Sequence, residues 1–320
     1  MKKYMILILS AITLFFARAT VLEAPTSKEE LGKLLFFDPI LSKDKTISCA
    51  SCHKPEYAFA DSSATSLGVG GARGLRNTPS SMNMLLQRNF FWDGRAASLE
   101  EQALGPIENP AEMNLSLDKA LLRLRKSKAY SSYFRKIFGS EPTRANLAEA
   151  IAAFERTLET SDSPFDYWKF YDDSNAVDNA VKRGFILFNE KGQCIKCHFG
   201  ANFTLSEFRN IGLFNGRDLN DSGRASITGK IEDLGKFKTP GLRNVALTAP
   251  YMHNGMFGSL SEVIEFYNDP NKIVPNAMNR DSIMARPLGL TVDEKKDLES
   301  FLLSLTDKRF SKAEKINVAE

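Results

Sequence analysis

The chain carries the pentapeptide Cys-x-x-Cys-His twice, as Cys49-Ala50-Ser51-Cys52-His53 and as Cys194-Ile195-Lys196-Cys197-His198. No other feature restricts its fold so tightly. Two thiols in this spacing sit on one turn, and each can form a thioether to a haem vinyl group. The adjacent histidine then lies under the porphyrin as the proximal iron ligand. Of the 4 Cys and 3 His, the two motifs use every cysteine and all but one histidine, His253. A redox Cys-x-x-Cys pair has no need of a neighbouring histidine twice over. A structural zinc site draws its four ligands together. Disulfides between such close neighbours would staple little in a chain of 320 residues. The pattern therefore predicts two covalently bound haem c groups, held by Cys49, Cys52 and His53 and by Cys194, Cys197 and His198.

Length allows two domains of ordinary size, each with its own core. A hydrophobic content of 43% and a charged content of 25% fit a soluble globular protein. The net charge of +3 is too small to argue for a nucleic-acid partner. At the N-terminus Lys2-Lys3 precede an apolar run from Tyr4 to Phe16, and Ala17-Arg18-Ala19 fits a small-x-small cleavage site. This is the pattern of a secretory signal peptide over residues 1–19, with the mature chain starting near Thr20. An uncleaved anchor is the alternative, but the run is short for a span. Haem c is attached outside the cytoplasm, so the expected location is the bacterial periplasm.

The chain reads as mainly α. Apolar spacing predicts helices over Ser27–Phe37, Ser116–Phe138, Thr143–Leu158, Ala176–Phe188 and Thr291–Leu305. Residues 61–77 and 215–235 read as Gly-rich loops, the first expected on the surface and mobile. Residues 159–175 read as an inter-domain connection, and no run alternates well enough to be a major strand.

The second half also repeats the first. A shift of 161 positions carries residues 78–101 without a gap onto 239–262. Thr78-Pro79 falls on Thr239-Pro240, Asn83 on Asn244, Gly94 on Gly255 and Ser98-Leu99 on Ser259-Leu260. In each copy the serine, followed three residues later by glutamate, is a candidate capping box. The expected architecture is two tandem cytochrome c-like haem domains related by internal duplication, over 20–160 and 161–320.

The repeat lets the two sites be compared. The same shift places Tyr267 opposite Pro106 and His253 opposite Trp92. Tyrosine can ligate iron as phenolate, whereas proline cannot ligate at all. If this helix supplies the distal residue in each domain, the second haem is capped by Tyr267 and the first is open. The alternative for Tyr267 is a core tyrosine completing the apolar stripe of Leu260, Val263 and Ile264. Met278 or Met284 would substitute as ligand if the helix register differs. Near the open position stand Gln102 and Glu112. Cleaving a peroxide O–O bond needs a group that moves a proton from the near to the far oxygen, and a carboxylate in a partly dry pocket can do so. Glu112 is the candidate, with Gln102 as orienter; a solvated loop carboxylate is the alternative for Glu112. Trp92 reads either as a core aromatic or as an electron relay.

With these residues in view, the chain resembles the bacterial di-haem cytochrome c peroxidases and their MauG-like relatives over nearly its whole mature length. The resemblance rests on both Cys-x-x-Cys-His sites, Phe-Trp-Asp-Gly-Arg at 91–95, Asn-Pro-Ala-Glu-Met at 109–113, and the run from Leu242 to Gly255. It implies a peroxidatic first haem with Glu112 as acid/base, Gln102 beside it, and Trp92 between the haems. It also implies a Ca²⁺ ion held by the Asn77 side chain and the carbonyls of Thr248 and Pro250. His253 would lie near the inter-haem region without ligating iron. The donor would be a cytochrome c or a cupredoxin, the oxidant hydrogen peroxide, and the usual assembly a homodimer. In the typical peroxidases a methionine stands at the position of Tyr267, and a loop histidine caps the first haem until reduction releases it. Here residues 61–77 hold no histidine, and Tyr267 is the MauG-like choice. Relatives that oxidise a protein substrate at long range use a surface tryptophan two residues before the second motif, where this chain has Gly192. The expected function is peroxide reduction; a side-chain oxidase and a non-enzymatic di-haem electron carrier or redox sensor are the alternatives.

Overall fold

The computed structural model describes residues 24–311. The expected signal peptide lies outside the described residues. Nine helices of seven residues or more organise what is described: α1 (Lys28–Phe37), α2 (Leu99–Glu108), α3 (Leu117–Lys126), α4 (Lys128–Phe138), α5 (Arg144–Arg156), α6 (Pro164–Phe170), α7 (Asn179–Asn189), α8 (Leu260–Asn268) and α9 (Val292–Leu303). The two cysteine motifs form single helical turns, and the strands are one two-residue antiparallel pair, Phe208–Arg209 with Phe237–Lys238. No described helix is long and apolar enough to cross a membrane.

Two crossings build the core. Gly32 lets α1 close on the carbonyl of Ala150 in α5, with Phe154 packed beside it; Gly184 lets α7 close on the carbonyl of Asp297 in α9, with Phe301 beside it. A methyl group at either glycine would lie inside the facing carbonyl oxygen, so both positions require the smallest residue. Around the first crossing pack Leu31, Leu35, Phe134, Leu147 and Ile151. Around the second pack Phe165, Phe188, Leu298 and Phe301, with Phe188 and Phe301 edge-on at 4.9 Å.

Local geometry follows the 161-residue shift. Asn83 and Asn244 are both left-handed, at φ +59° and +61°. The isolated bridge Phe90–Ala96 recurs as Tyr251–Phe257. Ser98 and Ser259 both cap their helices, accepting from the amides of Glu101 and Glu262. The box closes fully at Ser259; at Ser98 the glutamate reaches back to the Ala97 amide instead.

Three segments differ from the sequence expectation. The helix expected over Ser116–Phe138 is two helices, because Ser127 turns extended and its hydroxyl caps α4. That break turns Tyr130 and Phe134 into the core shared with Leu121 and Leu124. The connection 159–175 contains α6, started by Ser163 with Pro164 at its first position and a reciprocal bond from Asp166. It is bolted to the second half by the buried Asp166–Arg243 pair, at 2.8 Å. Residues 61–77 run over the surface, as expected, but are pinned at several points. Ser66 bonds Asp61 and Thr78, and Val69 N–H donates to the Glu112 carbonyl at 2.8 Å. Gly68 presses so closely on the backbone of Ala111 and Glu112 that no side chain fits there. Residues 62–64 and Leu67 are exposed, and Leu75 is 91% exposed.

Candidate haem sites and active site

One cavity of about 980 Å³ runs between the halves and is lined by parts of both motifs, including His53 and His198. The two imidazoles are held alike. His53 Nδ1 lies 3.0 Å from the Phe59 carbonyl and His198 Nδ1 lies 2.9 Å from that of Phe203. A carbonyl only accepts, so Nδ1 carries the proton in each ring and Nε2 keeps the lone pair that an iron ligand needs. Burial lowers both histidine pKa values and favours this neutral form. The four cysteines are free thiols, not disulfides. Burial raises their pKa values, an effect that ends once the sulfurs are thioethers. Residues and cavity therefore fit two haem c groups.

Along the cavity lining, Pro106 sits inside α2, and Gln102 lies one turn earlier. Glu112 follows the helix. Asn109 Nδ2 donates to its Oε1 at 2.6 Å, and the Glu112 carboxylate is close enough to interact electrostatically with Cys49 and Cys52. Burial pushes the Glu112 pKa up; the Asn109 bond and the Arg95 charge pull it down by less. Glu112 is thus a half-buried carboxyl group lining the cavity. Gln102, Pro106 and Glu112 all line the cavity.

Tyr267 occupies the corresponding place in α8. Its hydroxyl is enclosed, burial raises its pKa, and it lies within electrostatic range of Cys197 and Cys194. Met284 packs in the same cluster and also lines the cavity. Met278 is 47% exposed, and its sulfur faces Gly216, away from the cavity. That removes Met278 as a substitute ligand.

Trp92 and His253 meet at the seam, ring centroids 6.5 Å apart, so positions paired by the shift are also in contact. Trp92 Nε1 donates to the Asn77 carbonyl at 2.8 Å, and Asn77 N–H donates to the His253 carbonyl at 2.7 Å. His253 stacks on Phe237 at 3.7 Å, and burial lowers its pKa to about 4. The Asn77 amide nitrogen donates to Ser63 and Ala64, leaving Oδ1 as its acceptor. Asn77, Thr248 and Pro250 line one cavity. Among the described residues no three His, Cys, Asp or Glu side chains cluster as metal ligands, so a cation there would be held by neutral oxygens and water. Across the seam Arg76 bonds Asp93 at 2.5 Å and Asp221 at 2.7 Å and 2.8 Å.

The sequence reading missed Asn109, Arg95 and Gly68 at the first site. The first two lie inside motifs it quoted, and Arg95 stacks over Phe91 at 3.4 Å while reaching Asp93. Gly192 lines the cavity, its amide bonded to the Leu187 carbonyl at 2.7 Å.

A profile of the di-haem cytochrome c peroxidase family matches residues 26–175. The methylamine utilization protein MauG of Methylorubrum extorquens is 40% identical over 280 residues, covering 87% of this chain and 78% of the relative. Cytochrome c551 peroxidase of Nitrosomonas europaea is 41% identical over 239 residues, covering 74% and 71%. Among solved structures, a MauG-like protein associated with microbial copper homeostasis superposes with a TM-score of 0.82 at 31% identity, covering 91% and 93%. The di-haem peroxidase BthA of Burkholderia thailandensis superposes at 0.79 with 26% identity, covering 88% and 86%.

Proposed function

The chain belongs to the family of di-haem cytochrome c peroxidases and MauG proteins, and from that premise we propose that it reduces hydrogen peroxide to water with electrons from a small redox protein, a cytochrome c or a cupredoxin. As a family member it is a peroxidase-type oxidoreductase carrying two haem c groups. Each peroxide takes two electrons and two protons and leaves as two waters. The observation that carries this reading is the unlike pair Pro106 and Tyr267, which the shift of 161 puts at one position and which both line the cavity.

Cys49, Cys52 and His53 would hold the peroxidatic haem; Cys194, Cys197, His198 and the phenolate of Tyr267 would hold the other. When bound, haem supplies the iron redox chemistry that splits the O–O bond. Pro106 offers no ligand, so the first face admits peroxide. Glu112 accepts the proton of the near oxygen and returns it to the far one, which departs as water. The Asn109 bond to Oε1 leaves Oε2 for that proton. Gln102 orients the peroxide by hydrogen bonding. Trp92, fixed by its bond to Asn77, bridges the halves as electron relay. A Ca²⁺ ion would be held by Asn77, Thr248 and Pro250. The loop 61–77 has no histidine to block the first face, so activity needs no reductive activation.

The two halves, 20–160 and 161–320, are tandem copies of one cytochrome c-like unit. The matched glycine crossings, left-handed asparagines and bridges support this. The leader at 1–19 directs the chain to the periplasm, and a homodimer is its assembly. A second reading, oxidation of a partner's side chain, is favoured by the identity with MauG; Gly192, where the long-range route needs a tryptophan, weighs against it.

The test is the EPR and optical spectrum of the all-ferric protein before and after one equivalent of peroxide. One high-spin signal that is lost within the first turnover, but persists in Glu112→Gln, is the expected result. Two low-spin signals that ignore peroxide would overturn the open face at Pro106.

A further inference from the structure

The helices that cross at Gly32 and Gly184 can be compared residue by residue. Phe154-Glu155-Arg156-Thr157-Leu158 ends the first crossing, and Phe301-Leu302-Leu303-Ser304-Leu305 ends the second. Phe154 and Phe301 each pack against their glycine, and the amides of Asn83 and Asn244 bond the carbonyls of Leu158 and Leu305. The register is therefore fixed, and Glu155 stands where the second half has Leu302. Both line the cavity.

An apolar residue at this place is easy to account for; a carboxyl is not. Glu155 is 5% exposed, and its Oε2 is sealed from solvent without a hydrogen-bond partner. The charged groups around it do not neutralise it. On its own helix Arg156 is committed to Glu100 of α2, at 2.7 Å, and Glu100 adds a like charge. From α1 the charged contact with α5 is Lys28 with Glu149, almost two turns earlier. From the first motif the facing group is Cys49, which is uncharged as a thioether. Burial accordingly lifts the carboxyl to about 8, Arg156 opposing and Glu100 reinforcing. Ionising such a group is costly unless a positive charge appears nearby. Glu112 also lies within electrostatic range of Cys49, but it returns the proton it takes within the turnover, so the charge that changes with the electron is that of the haem held by Cys49, Cys52 and His53.

We propose that Glu155 is the proton site coupled to the electron at the first haem. When a one-electron donor reduces that iron from ferric to ferrous, the Glu155 carboxylate binds one proton drawn from solvent. When the electron leaves, the proton leaves with it. The pocket's net charge stays constant, which is the condition for cheap electron entry into a buried site. The second haem, with Leu302 at the same place, has no such partner. This inference rests on the two-haem reading above.

The experiment is a spectroelectrochemical titration of the intact di-haem protein from pH 6 to pH 10, with haem counted by pyridine haemochrome. In the wild type the first haem's potential should fall with rising pH, approaching the one-electron, one-proton limit of about 59 mV per unit. In Glu155→Gln that dependence should flatten while the second haem's potential is unchanged. The ferrous-minus-ferric infrared spectrum should contain a protonated carboxyl band that Glu155→Gln removes. Two haems per chain with the same pH dependence in Glu155→Gln would overturn the proposal and leave the peroxidase reading standing. Fewer than two haems in the wild type would overturn both.

Discussion

The two cysteine motifs are anchored alike and surrounded differently. Each histidine gives its Nδ1 proton to a main-chain carbonyl, and each motif lies beside a glycine-notched helix crossing. Around the first stand Pro106, Glu112 and Glu155; around the second stand Tyr267 and Leu302. Ser81 adds a hydroxyl 2.9 Å from His53 Nδ1, where the second half has Leu242. The shared parts hold a ring in place, and the unlike parts decide what the ring does. Charge is not confined to the first motif, since Arg209 and Asp281, paired at 2.8 Å, lie within electrostatic range of Cys197 and line the same cavity.

The sharpest way to break the comparison is Glu112→Gln, expected to slow peroxide turnover by about 10²–10⁴-fold while leaving the second haem's spectrum unchanged. Stopped-flow mixing with peroxide measures it; an unimpaired rate would mean that the first wall has no special chemistry. Next come Gly32→Ala and Gly184→Ala, each expected to cost roughly 1–3 kcal/mol or more by overpacking. Thermal unfolding should show similar losses for the two, and a large difference would mean the crossings are not equivalent. Tyr267→Met should raise the second haem's potential, because methionine stabilises the ferrous state that a phenolate disfavours. A redox titration showing no change would remove Tyr267 as ligand. The smallest effect expected is in the pH profile. Glu112 acts as base only when ionised, and burial raises its pKa. The acid limb of peroxide reactivity should therefore lie above the ordinary carboxylate range and vanish in Glu112→Gln.

The anchoring half of this comparison was legible in the sequence, because covalent attachment admits little variation in residue type or spacing. The cavity lining was legible where the shift of 161 could be extended, as at Pro106 and Tyr267, and where a carboxylate stood close by in sequence, as at Glu112. Glu155 lay beyond the shift. The terminal helices align at a shift of 147, since the intervening loops differ in length, and a single register hides that pair. Ser127 was missed because the apolar period continues through it, whereas a serine can stop a helix without disturbing the pattern. In α6 the signal was present as Ser163-Pro164 with Asp166, but its polar flanks read as a linker.

Thr160 sits at the proposed boundary between the halves, and it is 5% exposed. Its amide donates to Asn83 Oδ1 at 2.8 Å, and its hydroxyl accepts from Asn83 at 2.9 Å and from Asn244 at 3.3 Å. Asn244 in turn receives the amide of Asp307. Such a junction behaves as a keystone. The two halves are not interchangeable bricks, because a cut at 160 would strip partners from buried amides on both sides. Chimaeras that trade one half for a relative's should keep their function only when Asn83, Thr160, Asn244 and Asp307 travel as one set.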